Sequence, residues 1–244
     1  MVLGVVGFGR FSKFFSQTLK CFGDVWIFSR RDVSQEAKKI GCAQRRWEDL
    51  AKCDIIVVAS AISDIAEVLP KIFRFAKKGG VVMDVASVKI IPCRLLKKYA
   101  PKDVHILGTH PMFGPDSASK GLSGLSMVFC PVRISRAKYN KILAMFRGLK
   151  LRIIETSPRE HDRQSARSLA LVHFIGRGLE KMGVQRGEVT TRGYEYLLEL
   201  QNNVANDSER LFFDMHAYNP YAKKEREKFL LALQRLDKKL RSEY

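Results

Sequence analysis

The sequence predicts an α/β fold in two parts: a doubly wound, mostly parallel sheet, then an all-helical C-terminal domain. Three observations lead there. Short apolar runs alternate with helix-length amphipathic stretches through the first part of the chain, the rhythm of β-α-β units. Those runs lack polar alternation, so they suit strands buried on both faces. Beyond residue 157 no segment reads as a strand.

In order, strands are expected at Val2–Val6, 25–28, 55–59, Val81–Asp84 and 104–107, with helices over 10–22 and 63–77 among the connections. Two further strands, 127–132 and 151–154, flank a helix at 135–147. The pattern changes at Ser157-Pro158-Arg159-Glu160. A serine whose hydroxyl can bond first-turn amides, a proline already fixed at helical φ and a glutamate able to reach back together start a helix. That helix should run to Gly183, a left-handed stop. Others follow at 191–203, 208–216 and 224–242. The last carries Phe229, Leu233, Leu236 and Leu240 on one face, read as intramolecular core ahead of a subunit seam. The domains are accordingly 1–156 and 157–244.

Of 244 residues, 46% are hydrophobic and 28% charged, a globular balance that excludes whole-chain disorder. No apolar run reaches membrane-spanning length. The chain enters a strand-like run at Val2 with no basic segment before it, so no secretory signal is expected. Five cysteines (Cys21, Cys42, Cys53, Cys93 and Cys130) are dispersed without a C-x-x-C pair, which fits a reducing cytoplasm and offers no metal site. Lys and Arg number 43 against 25 Asp and Glu, giving a net charge of +18. An anionic small ligand, an anionic surface or nucleic acid would each suit that excess. The cations are spread along the chain rather than gathered in one block, so nucleic acid is not the expected partner.

Gly7-Phe8-Gly9-Arg10-Phe11-Ser12 follows the first strand and opens the first helix. In such a loop the first glycine permits the turn, the second admits a pyrophosphate to the backbone, and free amides at the helix start bind it. Ser12 stands where a third small residue keeps helix and strand close. The other reading is a tight turn with no ligand. The second strand ends Phe28-Ser29-Arg30-Arg31, with Ser29 where a site for NAD would place an acid against the ribose. A hydroxyl followed by two guanidinium forks suits a 2′-phosphate, so the expected cofactor is NADP, held by Gly7, Phe8, Gly9, Arg10, Phe11, Ser29, Arg30 and Arg31. Solvated turn arginines are the alternative. Asp32 lies too far past the strand to be the ribose ligand.

Further blocks carry a resemblance. Gly108-Thr109-His110-Pro111-Met112-Phe113-Gly114-Pro115 is preceded by Asp84-Val85-Ala86-Ser87-Val88-Lys89. Glu160-His161-Asp162, His173-Phe174-Ile175-Gly176-Arg177, Thr191-Arg192-Gly193-Tyr194-Glu195 and Tyr218-Asn219-Pro220 follow in order. Together they resemble the prephenate/arogenate dehydrogenase family of tyrosine biosynthesis, most closely its plant-type arogenate branch, over nearly the whole chain. The resemblance implies a dinucleotide-binding Rossmann-like domain, a helical domain that binds substrate and pairs into a homodimer, and an oxidative decarboxylation of prephenate or arogenate. In that reaction hydride leaves the ring carbon bearing the 4-hydroxyl, carbon dioxide is lost and the ring becomes aromatic.

Within it, His110 is the general base, since an imidazole titrates near neutrality. Ser87 hydrogen-bonds the substrate hydroxyl or the histidine. Arg192 meets a carboxylate, and His173 contacts substrate from a helix face shared with Ala166, Ala170 and Arg177. His161 reads as local structure. Lys89 could face cofactor or solvent and carries no assigned role. Lys120, just before Gly121, stands where arogenate users tend to have an acid, and it would repel arogenate's ammonium if it points inward. That leans the substrate toward prephenate, or dual use, against the branch resemblance. Two other classes fit parts of the pattern: an NADP-dependent reductase of β-hydroxyacid or imine type, and a non-enzymatic NADP-responsive or nucleic-acid-binding protein.

Overall fold

The computed structural model describes residues 1–243. It divides into two units, Met1–His161 and Asp162–Tyr244. The division falls inside the helix that starts at Pro158, a little past the join expected at Thr156.

The strands of the first unit are β1 (Val2–Val6), β2 (Asp24–Phe28), β3 (Ala43–Gln44), β4 (Ile55–Val58), β5 (Val81–Asp84), β6 (His105–Pro111), β7 (Ser126–Arg133) and β8 (Arg152–Glu155). They form one sheet in the order β3-β2-β1-β4-β5-β6-β7-β8. Neighbours run parallel except β6 and β7, which are antiparallel. Helices α1 (Arg10–Leu19), α2 (Ser34–Lys39), α3 (Ile65–Phe75), α4 (Ile90–Tyr99) and α5 (Arg136–Gly148) lie along the connections. This is the doubly wound sheet the apolar runs predict. Chain order reverses at β1, which sits between β2 and β4, so the glycine loop opens at the switch point where such sheets bind ligands.

The strand β3 escapes sequence reading because two residues show no period. His110 was expected just past a strand end. It lies inside β6 instead, paired with Val128, because the antiparallel partner β7 carries the ladder on to Pro111. Val5, Ile27, Val57 and Leu107 are fully buried, and α1 and α5 meet through Phe15 and Phe146, whose rings stack at 6.2 Å. Burial of such side chains contributes about 1.5–3 kcal/mol each.

In the second part of the chain Ser157 Oγ accepts the Glu160 amide at 3.1 Å, as a helix cap should. The expected single helix to Gly183 is interrupted. The segment α6 (Pro158–Ser165) passes into a π-helical stretch, Ala166–Leu171, and then α7 (Val172–Lys181). Widening a helix frees carbonyls from their usual partners. The Asn219 amide takes one of them, donating to Asp162 O at 2.9 Å, and reaches Ser165 Oγ at 3.3 Å. Gly183 does adopt the left-handed conformation, φ +70°. Helices α8 (Arg192–Ala205), α9 (Glu209–Tyr218) and α10 (Ala222–Glu243) complete the unit. At Gly176 a Cβ would lie 2.5 Å from Val204, so the glycine lets α7 and α8 approach. The α10 stripe corrects one expectation: Leu233, Leu236 and Leu240 are exposed, at 47%, 60% and 59%, and are not intramolecular core. Among the described residues no helix is long and apolar enough to cross a membrane.

Candidate active site

The loop after β1 is shaped by contact with β4. Gly7 has φ +108°, and a Cβ there would lie 2.6 Å from Ala59 O. Its amide donates to Phe28 O at 2.9 Å. Gly9 is open, with nothing within 4 Å of a built Cβ, so a pyrophosphate can approach its backbone. Ser12 Oγ accepts the Gly9 amide at 2.6 Å and donates back to Gly9 O at 3.0 Å, closing the first turn of α1 from a fully buried position. Near Gly7, Ser60 Oγ at the end of β4 is buried without a hydrogen-bond partner, a polar group sequence reasoning did not single out. An open cradle and an unpartnered hydroxyl fit a dinucleotide.

Several expected cofactor residues act through backbone or through other partners. The Phe8 side chain is in the core, and Phe11 stacks on Phe15 at 5.2 Å, so neither ring is offered to a ligand. Arg10 pairs with Asp116, which joins the glycine loop to the loop after β6. Asp116, the acid closest to Lys120 in sequence, is thus engaged by a guanidinium. Ser29 Oγ accepts the Arg31 amide at 3.2 Å, and Arg31 Nη2 reaches Phe8 O at 3.5 Å. Gln44 of β3 holds this turn from below, accepting from Val33 at 2.6 Å and donating to Arg31 O at 2.9 Å. Arg30 is engaged by Asp64 at 3.0 Å and Glu67 at 3.1 Å. Of the two arginines, Arg31 lies nearer the glycine loop. Asp32 accepts the Ser34 amide at 2.9 Å, a turn role.

At the C-terminal ends of β5 and β6 lies a buried polar cluster. Lys89 is fully buried, correcting the choice between cofactor and solvent: its ammonium pairs with Asp84 Oδ1 and donates to Thr109 O at 2.6 Å. Thr109 Oγ1 donates to Asp84 O at 2.5 Å. Burial raises the Asp84 pKa, and Lys89 opposes that shift. His110 Nδ1 lies 2.9 Å from Nε2 of His161, with both rings buried. Burial holds His110 well below the ordinary imidazole value, and the charges of His161 and Lys89 add to that. Ser87 Oγ is buried without a hydrogen-bond partner, so it bonds no histidine in this structure. Reading His161 as local structure alone missed its contact. Its i,i−4 backbone bond to Ser157 explained the backbone while the ring went elsewhere.

In the second unit, His173 is buried, with Nδ1 unpartnered and Nε2 3.7 Å from Asp207. Burial, then Arg177, pushes its pKa down to about 4. Ala166 and Ala170 are buried as well. Arg192 opens α8 next to the cap Thr191, is exposed, and donates from Nε to Tyr196 Oη at 2.8 Å. Lys120 is exposed.

Residues 21–155 match the family described as prephenate dehydrogenase, nucleotide-binding domain. The chain belongs to the prephenate/arogenate dehydrogenase family. Residues 178–244 match a second description, TYRAAT1-like, C-terminal domain. Among relatives, arogenate dehydrogenase 2, chloroplastic, of Arabidopsis thaliana is 37% identical over 98% of this chain and 69% of its own length. Arogenate dehydrogenase 1, chloroplastic, from the same plant is 36% identical over 98% of this chain but only 39% of its own length. The chain therefore spans about two fifths of one curated relative and two thirds of the other. This chain shares its fold, with TM-score 0.79 at 17% identity, with a solved prephenate dehydrogenase of A. aeolicus in complex with hydroxyphenyl propionate and NAD+. The match covers all of this chain and 91% of that one.

Proposed function

We propose that the chain catalyses oxidative decarboxylation of prephenate or arogenate in tyrosine biosynthesis, with NADP as hydride acceptor. The observation that carries the reading is the pair of groups at the C-terminal ends of β5 and β6. One is a neutral, buried His110 in the His-Pro-Met-Phe-Gly-Pro block. The other is a buried Ser87 hydroxyl with no partner in the protein. A neutral imidazole is the form that accepts a proton, and a hydroxyl lacking a partner is completed by the substrate's 4-hydroxyl. The bound nicotinamide supplies the two-electron acceptor for the hydride from C4. His110 removes the hydroxyl proton, and Ser87 orients that oxygen. Aromatisation drives loss of carbon dioxide, so the protein's task is alignment and proton removal.

For NADP the support is Ser29 at the end of β2 and Arg31 reaching back to Phe8. Arg30 must share its fork with Asp64 and Glu67. The solved relative from A. aeolicus is described with NAD+, so the two nucleotides are to be compared directly. Arg192, His173 and Lys120 keep their substrate-binding assignments on the family motifs. The Arabidopsis relatives are named for arogenate, whereas Lys120 argues for prephenate or dual use. A homodimer through the helical unit accounts for the exposed leucines of α10. A reducing compartment follows from dispersed free thiols, and we assign the cytoplasm, although the Arabidopsis relatives are named chloroplastic.

The test is turnover of each substrate with NADP and with NAD. NADP reduction with at least one substrate is expected, and His110→Asn should lower kcat at least ~100-fold. Undiminished turnover in that variant removes His110 from the chemistry. Absence of turnover with both substrates overturns the function.

A further inference from the structure

We propose that His161 is a positioning residue that fixes which nitrogen of His110 carries the proton and then takes that proton on during turnover. This deepens the reading of the site just given and rests on it.

The two imidazoles meet through His110 Nδ1 and His161 Nε2 at 2.9 Å, their rings tilted 67° apart with centroids at 5.1 Å. A contact of that length holds one proton between the nitrogens, and its owner decides the chemistry. If His161 donated, a neutral His110 would carry its own proton on Nε2 and have no lone pair there for a substrate hydroxyl. If His110 donates from Nδ1, its Nε2 is a bare acceptor. Only the second arrangement makes His110 a base.

The surroundings favour moving positive charge off His110. Burial penalises a cation there, and Lys89 at the start of α4 adds repulsion. His161, from the first turns of α6, interacts instead with the Asp84 carboxylate at the end of β5. Lys89 and Asp84 are thus charged groups that act on the pair from opposite signs. The proton balance is then complete. The 4-hydroxyl proton moves to His110 Nε2 as the Nδ1 proton crosses to His161 Nε2. The O–H electrons form the ring carbonyl while hydride leaves C4 for the nicotinamide. When the carboxylate C–C bond breaks, its electron pair enters the ring and reaches that oxygen. The proton returns to it by the same two transfers, leaving a phenol and carbon dioxide.

Nitrogen-15 spectra of the full chain test the first half directly. His110 is expected with its proton on Nδ1 and a bare Nε2, and a proton on Nε2 would overturn the proposal. His161→Gln keeps an acceptor for the Nδ1 proton but cannot receive it. Its kcat should fall about tenfold with substrate KM nearly unchanged. Its acid limb should also move. In the native pair kcat falls as acid protonates the coupled imidazoles. In the variant His110 stands alone with its burial-lowered affinity for protons, so the limb shifts to lower pH. His161→Leu, lacking any acceptor, should lose more, approaching His110→Asn. Unchanged kcat in the glutamine variant, or an unshifted limb, overturns the relay. A native chain that turns over neither substrate overturns the activity instead, while the spectra still decide the tautomer.

Discussion

The two units treat their large apolar side chains in opposite ways. In Met1–His161 they are inside: β1, β4 and β5 are buried nearly end to end, and only Met1 among the large apolar residues is exposed. In Asp162–Tyr244 the buried apolar residues are mostly small, such as Ala166, Ala170 and Ala222. Met182, Val189, Phe213 and the leucines of α10 face out. A parallel sheet must cover both faces with its own helices, so the first unit completes its core by itself. A set of helices with glycine and alanine at its crossings, as at Gly176, packs closely but leaves its longer side chains for another surface. The first unit is therefore expected to hold the nucleotide and the base on a self-sufficient frame, and the second to depend on assembly.

Three variants break or sharpen that contrast. The largest effect should come from Lys89→Met. It removes the ammonium paired with a fully buried Asp84, and breaking a buried pair of this kind typically costs about 3–5 kcal/mol. A denaturant midpoint close to that of the native chain would show that the frame does not rest on this pair. Next, Leu236→Lys with Leu240→Lys should convert a dimer to monomer in sedimentation while altering each helix's own stability by about 0.5 kcal/mol or less. A native chain that already sediments as a monomer removes the contrast. The smallest effect belongs to Arg31→Ala. Losing a charge-assisted contact should raise the NADP KM about tenfold and leave that for NAD nearly unchanged. Equal changes for both nucleotides would mean the arginine does not read the 2′-phosphate.

Legibility in the sequence followed the same divide. The strands β1 and β5 can be placed to the residue because an uninterrupted apolar run bounded by turns has one reading. The strand β6 is longer than its apolar run because its last residues, Thr109, His110 and Pro111, owe their strand geometry to β7. Pattern reading of the helical unit located its helices, but it assigned the α10 stripe to an internal core, and those leucines are exposed. At the site, His110 and Ser87 were visible through the motif. The Asp84–Lys89 pair was not, because a lysine near a helix start ordinarily goes to water. Its burial follows from the approach of β5 and β6, which places Thr109 O within its reach. His161 was set aside because one explanation of its position sufficed. A residue can close a helical turn with its backbone while its ring meets a neighbour elsewhere.

The π-helical stretch has a consequence for how this chain tolerates change. A regular α-helix turns about 100° per residue, so deleting any one residue within Ala166–Leu171 would let the helix close in ordinary register. A π-turn takes in one residue more than an α-turn, so the helical residues on either side of the stretch already keep their phase. Deleting one residue there would leave His173 on nearly its present face. A single deletion should accordingly be tolerated better inside Ala166–Leu171 than in the flanking helices, where the same loss turns everything beyond it by about 100°.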